Sequence, residues 1–134
     1  MTQYGFFFDS TRCTGCRTCE MACKDYKDLS ATIAFRKVYD YEGGAWSDVG
    51  DGTFTSDAFA YHVSLGCQHC AMPACMAKCP QGAISKREED GVVVVDDEKC
   101  IGCKTCSLAC PFDVPQYREV EGQGLKMDKC DTCL

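Results

Sequence analysis

Cysteine is the residue type in this sequence whose number and spacing point most directly to chemistry. The chain of 134 residues contains 14 cysteines, and they fall into four tight groups. The first and third groups have the spacing C-x2-C-x2-C-x3-C, the second has C-x2-C-x4-C-x3-C, and the fourth begins with C-x2-C. The predicted metal ligands are Cys13, Cys16, Cys19 and Cys23; Cys67, Cys70, Cys75 and Cys79; Cys100, Cys103, Cys106 and Cys110; and Cys130 and Cys133.

Disulfide bonds and zinc are two of the three chemistries that compete for this pattern. A bridge between cysteines two or three residues apart closes almost no loop and therefore constrains the unfolded chain little. Paired C-x2-C motifs are typical of structural zinc, but zinc has no use for the further cysteines of each group. His62 and His69 are too few for mixed Cys/His sites. Zinc remains the second candidate.

Iron–sulfur chemistry is the third and the favoured candidate. The run C-x2-C-x2-C-x3-C-P is that of bacterial ferredoxins, in which three cysteines bind one [4Fe–4S] cluster and the fourth reaches to a neighbouring cluster. Two groups of this chain end in Cys-Pro, because Pro80 follows Cys79 and Pro111 follows Cys110. The spacing therefore predicts iron–sulfur clusters.

The ferredoxin rule also predicts that the groups exchange ligands. One predicted inner set consists of Cys67, Cys70, Cys75 and Cys110. The other consists of Cys100, Cys103, Cys106 and Cys79. One predicted outer set consists of Cys13, Cys16 and Cys19. The other consists of Cys23, Cys130 and Cys133. Each outer set has three of the four ligands that a cubane needs. We therefore expect two complete sites within residues 67–110, up to four in a full-length chain, and a sequence cut off inside its fourth motif.

Short strands and helices are expected to position the inner groups. Residues 83–86 and 92–95 are predicted strands joined by a polar turn. Residues 74–78 and 104–109 contain Ala, Leu, Met and Lys, which favour helical turns.

The remaining segments are predicted to form strands around a spacer. Residues 4–9 are expected to be an aromatic strand leading into the first group. Strands are also predicted at 35–41 and 59–65, and a surface loop containing Trp46 at 43–57. The loop is expected to be part of a hairpin that covers a cluster edge, with a docking surface as the alternative.

The predicted fold class is α+β, with tandem bacterial-ferredoxin-like modules built from short strands and helices and an inserted β-hairpin. The predicted inner module is 67–110, and the spacer with the hairpin is 24–66. Residues 1–23 and 111–134 form the predicted outer module, which is incomplete.

Composition and charge exclude several function classes. The net charge is −6 and no basic stripe is present, so nucleic-acid binding is disfavoured. The longest aliphatic run is residues 92–95, far too short for a membrane span. The N-terminus lacks the pattern of a signal peptide. No catalytic residue is predicted, because the sequence shows no nucleophile–base pair, phosphate loop or outstanding carboxylate pair.

Five segments carry a resemblance to a known family. Residues 6–29, 67–75, 91–96, 100–106 and 110–117 resemble the iron–sulfur subunits of bacterial dimethyl sulfoxide reductases and related molybdopterin oxidoreductases. The resemblance covers essentially the whole chain. Some relatives carry a non-ligating residue at the site of Cys106 and hold a three-iron cluster. A [4Fe–4S] cluster is expected here.

The resemblance implies a non-catalytic electron-transfer subunit. Its partners would be a quinol-oxidising membrane anchor subunit and a catalytic subunit that contains molybdopterin. The chain would be a peripheral part of a membrane-bound complex, on the periplasmic side by resemblance, with no signal peptide and no membrane span of its own. A free-standing polyferredoxin and a zinc-stapled interaction module are the alternatives.

Several residues beside the cysteines are candidates for secondary roles. Arg12, Arg17, Lys24 and Lys104 could raise cluster potentials, or they could be solvated charges. His69 is expected to pack or hydrogen-bond at a cluster edge, and His62 to be a strand residue without a redox role. Phe112, Tyr117 and the N-terminal phenylalanines are expected to pack around the clusters.

Overall fold

Short helices and two-stranded sheets make up residues 2–134, the part of the chain that the computed structural model describes. The helices are α1 (Thr18–Tyr26), α2 (Ala74–Lys78) and α3 (Thr105–Ala109). The strands are β1 (Lys37–Gly43), β2 (Trp46–Asp48), β3 (Phe54–Ser56), β4 (Phe59–Leu65), β5 (Ile84–Lys86), β6 (Val93–Val95), β7 (Gln116–Val120) and β8 (Gly124–Asp128). The antiparallel pairs are β1–β4, β2–β3, β5–β6 and β7–β8.

The main hydrophobic cluster lies where the pair β5–β6 meets β8. Ile84, Val93 and Met127 are buried there, together with the cysteines Cys100 and Cys106. Helix α2 packs against both α3 and β5. Two cysteines thus belong to the core of the fold, so the environment of their sulfur atoms depends on the packing of the whole inner region.

The segment between the first two cysteine groups forms a long ladder. Strand β1 pairs with β4 from Lys37 opposite Leu65 to Gly43 opposite Phe59. Strand β4 coincides with the predicted strand at 59–65. The loop predicted at 43–57 contains the strands β2 and β3, which pair with each other. Asp57 stabilises the entry to β2 because its carboxylate accepts the N–H of Ala45 at 2.7 Å.

The strand predicted at residues 4–9 is wrong. These residues have no regular secondary structure, and the Phe7 side chain is 92% exposed. The backbone N–H of Tyr4 donates to the carbonyl of Asp90, but this single hydrogen bond does not continue into a ladder between strands. Aromatic residues raise strand propensity, but a strand also needs a partner edge.

The strands β7 and β8 lack a counterpart in the sequence prediction. They enclose a turn in which the N–H of Gln123 donates to the carbonyl of Val120 and Gly122 has φ 72°. The predicted helix at 74–78 coincides with α2. Helix α3 begins one residue after the predicted start, because Lys104 adopts the left-handed conformation before it.

No helix within residues 2–134 combines the length and the apolar character that crossing a membrane requires.

Candidate metal centres

Three of the four cysteine groups are held by a loop that runs into a short helix. Helix α1 begins inside the first group, α2 inside the second and α3 inside the third. All fourteen cysteines lie within the described residues, and none of them forms a disulfide bond. Each loop therefore presents its first cysteines from irregular backbone and the later ones from the helix or its end.

The loops of the first and third groups share one backbone conformation. Gly15 and Arg17 have φ values of 69° and 58°, and Gly102 and Lys104 have 66° and 62°. Left-handed residues that alternate with right-handed ones turn successive N–H groups towards one side, which makes a concavity suited to anions and iron–sulfur clusters. The repeated sequence pattern Cys-x-Gly-Cys-basic-Thr-Cys accounts for the repeated geometry.

The third group and Cys79 surround one cavity. Cys79, Cys100, Cys103 and Cys106 all line it, and it encloses about 340 Å³ including its mouth. Ile84, Val95 and Met127 supply apolar walls. The fourth cysteine of the second group therefore lies with the first three of the third group, which is the crossed arrangement expected from the ferredoxin pattern.

Each of these four sulfur atoms has a hydrogen-bonding partner. The N–H of Ala83 donates to Cys79 Sγ and that of Met127 to Cys100 Sγ, both at 3.3 Å. The hydroxyl of Thr105 lies 3.4 Å from Cys103 Sγ, and that of Tyr117 lies 3.2 Å from Cys106 Sγ. A thiolate can only accept, so all four contacts suit the deprotonated form that binds metal.

Two pKa shifts reflect these contacts. The hydrogen bond from the Thr105 side chain lowers the pKa of the Cys103 thiol. Burial, together with the contact to Cys106, raises the pKa of Tyr117 to about 12. The Tyr117 hydroxyl thus stays protonated and available as a donor over the physiological pH range.

A second and wider cavity lies between the first and fourth groups. It encloses about 1170 Å³ including its mouth and is lined by five cysteines. They are Cys13, Cys19, Cys23, Cys130 and Cys133. Burial raises the pKa of Cys23, and the charges of Cys130 and Cys133 add to the increase, which places Cys23 beside the fourth group.

The remaining inner cysteines are brought together across α2 and α3. Burial raises the pKa of Cys75, and the nearby charges of Cys67 and Cys110 contribute to the increase. Cys70 lies exposed in the same loop as Cys67. Cys110 follows α3, so the last cysteine of the third group reaches the second group.

The donor set fits clusters better than single ions. Among residues 2–134, no three His, Cys, Asp or Glu side chains are close enough together to hold one metal ion. Nine of the fourteen cysteines instead line the walls of two cavities, four in the first and five in the second. Free thiols with hydrogen-bond donors to sulfur are the groups that hold and tune iron–sulfur clusters.

The two histidines contact different cysteine loops. His69 is 1% exposed, and its Nδ1 accepts the N–H of Val93 at 2.9 Å, in keeping with the predicted hydrogen-bonding role. Burial and the charges of two lysines lower the pKa of His69 to about 4, so its ring is neutral. His62 lies on β4, 2.8 Å from Asp40, and its ring covers Gly15 in the first cysteine loop.

The basic residues singled out in the sequence have mostly structural contacts. Arg17 pairs with Asp40 at 2.7 Å, and the exposed Arg12 lies 3.6 Å from Asp9. Lys24 donates to three backbone carbonyls in the segment that follows α1, those of residues 30, 31 and 33. Lys104 lines the first cavity and lies 5.5 Å from the centre of the Tyr117 ring.

Three other lysines contact the cysteine loops and were missed by the sequence reasoning. Lys86 donates to the carbonyl of Cys70 at 3.0 Å, and the buried Lys126 to that of Cys100 at 2.7 Å. The buried Lys129 donates to the carbonyl of Cys130 at 3.0 Å. Of these three, only Lys129 is directly followed by a cysteine in the sequence, so adjacency to a cysteine was a poor guide.

The phenylalanines are more exposed than expected. Phe112 is 42% exposed and Phe7 92% exposed, so these two side chains are not part of the core. The N-terminal phenylalanines instead line the wide second cavity. Tyr117 lies beside the main hydrophobic cluster, as expected.

Comparisons with known proteins identify two cluster-binding regions. The 4Fe-4S dicluster domain family matches residues 58–134, and the 4Fe-4S binding domain family matches residues 4–25. The two regions together include all fourteen cysteines.

Curated relatives match almost the whole chain. A component chain of the anaerobic dimethyl sulfoxide reductase of Escherichia coli is 55% identical over 132 residues, which are 98% of this chain and 62% of the relative. Its namesake from Haemophilus influenzae is 54% identical over 99% of this chain and 63% of its own length. A sulfite dehydrogenase subunit of Allochromatium vinosum is 36% identical over 100% of this chain and 57% of the relative. The chain thus spans about three fifths of these relatives.

Proposed function

We propose, because this protein belongs to the 4Fe–4S dicluster family, that it is the electron-transfer subunit of an oxidoreductase complex. The [4Fe–4S] clusters that this family binds exchange single electrons. The chain's own residues hold the clusters, donate hydrogen bonds to their sulfur ligands and limit their contact with water. Bond chemistry on a substrate is assigned to another subunit.

The ligand assignment follows the crossed pattern. We assign Cys79 to the set formed by Cys100, Cys103 and Cys106, and Cys110 to the set formed by the first three cysteines of the second group. The outer sets are Cys13, Cys16 and Cys19, and Cys23, Cys130 and Cys133. This assignment divides the chain into an inner module at 67–110, an outer module at 1–23 and 111–134, and an insertion at 24–66 that contains the strands β1 to β4.

The observation that carries the proposal is the set of four thiols around one cavity. Cys79 comes from the second group and the other three from the third, yet all four line the same space. Each sulfur has its own hydrogen-bonding partner at 3.2 to 3.4 Å. Such contacts stabilise negative charge on the thiolates, and that charge increases when a cluster is reduced.

The partners are assigned from the names of the relatives. Each relative is named as one chain or one subunit of a reductase or a dehydrogenase, which indicates assembly with other subunits. We assign to this chain a molybdopterin-containing catalytic subunit that reduces a sulfoxide and a membrane anchor that oxidises quinol. Electrons would then run from the anchor through the clusters to the catalytic subunit, on the periplasmic side of the membrane.

Anaerobic purification followed by metal analysis and spectroscopy tests the cluster assignment. We expect about eight or more iron atoms and as many sulfide ions per chain. A broad visible absorption should bleach on addition of dithionite, and electron paramagnetic resonance (EPR) signals of reduced clusters should appear. Colourless protein that contains zinc and no iron would contradict the proposal.

A further inference from the structure

Two lysines are buried next to the cysteine loops without an acidic partner. Lys126 is 7% exposed and Lys129 is 4% exposed. Their ammonium groups donate to backbone carbonyls, Lys126 to Cys100 and Lys129 to Cys130 and Val93. Within residues 2–134, no carboxylate oxygen lies within 4.0 Å of either ammonium group.

Asp97, Asp128 and Asp131 line one cavity together with Lys129, but each of them is paired with another basic residue. Asp128 lies 3.2 Å from Arg118, and Asp131 lies 2.7 Å from Lys27. A buried charge without a counter-charge is strongly unfavourable, and carbonyl dipoles compensate only part of the lost hydration. Two such lysines in one small protein therefore indicate that negative charge is supplied by something the fold encloses.

The carbonyl partners show where that negative charge lies. Both cysteines whose carbonyls accept are members of the proposed ligand sets. Lys129 is linked to the second group through Val93, whose carbonyl accepts from Lys129 and whose N–H donates to His69 between Cys67 and Cys70. Lys129 thus lies between an inner and an outer cysteine group, and Lys126 lies at the loop of the third group.

We propose that Lys126 and Lys129 are internal counter-charges of the [4Fe–4S] clusters and raise their midpoint potentials. A cluster with four thiolate ligands is anionic, and one-electron reduction makes it more negative. A fixed positive charge nearby therefore stabilises the reduced form more than the oxidised form. The inference rests on the proposed function, since it requires that clusters occupy the cysteine sets.

The chain offers a matched control in Lys99. Lys99 immediately precedes Cys100, just as Lys129 immediately precedes Cys130. Its side chain is 61% exposed and pairs with Asp96 at 2.6 Å. Water and that carboxylate screen its charge, so removing it should leave the potentials nearly unchanged.

The test is a redox titration of the anaerobically purified protein, monitored by EPR, for the variants K126Q, K129Q and K99Q. We expect K126Q and K129Q each to lower the midpoint potential of at least one cluster. At a fixed solution potential, the ratio of reduced to oxidised cluster should fall about tenfold, which corresponds to about 59 mV for a one-electron couple. K99Q should change that ratio less than twofold.

Two outcomes would overturn the inference. One is K129Q and K126Q proteins that retain their clusters at unchanged potentials. The other is found by a follow-up: if K129Q loses a cluster, K129R is compared with K129M, and loss of the cluster from both overturns the inference. Retention in K129R and loss in K129M supports the role of charge, whereas loss in both shows that side-chain shape is what matters. Absence of iron in the unaltered protein would instead contradict the proposed function itself.

Discussion

The exchange of ligands between the second and third groups can be tested by combining cysteine substitutions. The starting variant is C100A/C103A, which removes two ligands from the third group. Alanine is chosen because it has no side-chain atom that can bind iron. We expect this variant to lose one whole cluster, or about four iron atoms per chain.

The informative step is a third substitution in that background. Cys79 lines the same cavity as Cys100 and Cys103, so adding C79A removes a ligand from a site that is already empty and should cost no further iron. Adding C110A should remove between one and about four more iron atoms, because Cys110 lies with Cys67 and Cys75. The difference between the two triple variants is thus at least one iron per chain.

The assay is iron and sulfide quantification on protein purified without oxygen, with EPR spectra of the reduced samples as a second readout. The mirror background C67A/C70A is the control, and the roles of C79A and C110A should be reversed in it. If C79A lowers the iron content of C100A/C103A while C110A does not, each group binds its own cluster and the crossed assignment is wrong.

Two further substitutions test the surroundings of the third group. Y117F removes the hydroxyl that lies 3.2 Å from Cys106 Sγ. Loss of a hydrogen bond that favours the reduced state by about 1 kcal/mol would lower the midpoint potential by about 40 mV, and an unchanged potential would contradict this role. G102A should lower the midpoint temperature of unfolding far more than G122A. Both glycines have positive φ. A Cβ at Gly102 would collide with the backbone carbonyl of Leu125, whereas a Cβ at Gly122 would meet open space. We expect about 1 kcal/mol of destabilisation for G122A and at least twice that for G102A, measured by anaerobic thermal denaturation.

Local patterns in the sequence predicted the elements whose determinants are local. The apolar run at 92–95 and the residues of α2 gave elements within one residue of those observed. The hairpin β7–β8 was missed, since its strands mix charged and apolar residues and Met127 is buried only through contact with the inner cluster. The strand predicted at 4–9 was wrong because the strong strand propensity of these residues has no neighbouring strand with which to pair.

The site was predictable to the extent that it depends on cysteine spacing. The grouping of Cys79 with the third group follows from the ferredoxin pattern and agrees with the cavity that the structure contains. The buried lysines could not be recognised, because Lys126 lies on β8, far along the chain from the cysteine whose carbonyl it contacts. Lys99 and Lys129 occupy equivalent places beside a cysteine and have opposite exposure, which only the tertiary fold determines.

The cavity shared by Cys79 and the third group also has a consequence for biosynthesis. Under the proposed assignment, Cys79 is synthesised before Cys100, Cys103 and Cys106, so its ligand set is complete only when all three have emerged. The second group likewise waits for Cys110. With these ligand sets, neither inner cluster could be completed before the whole of 67–110 has been synthesised.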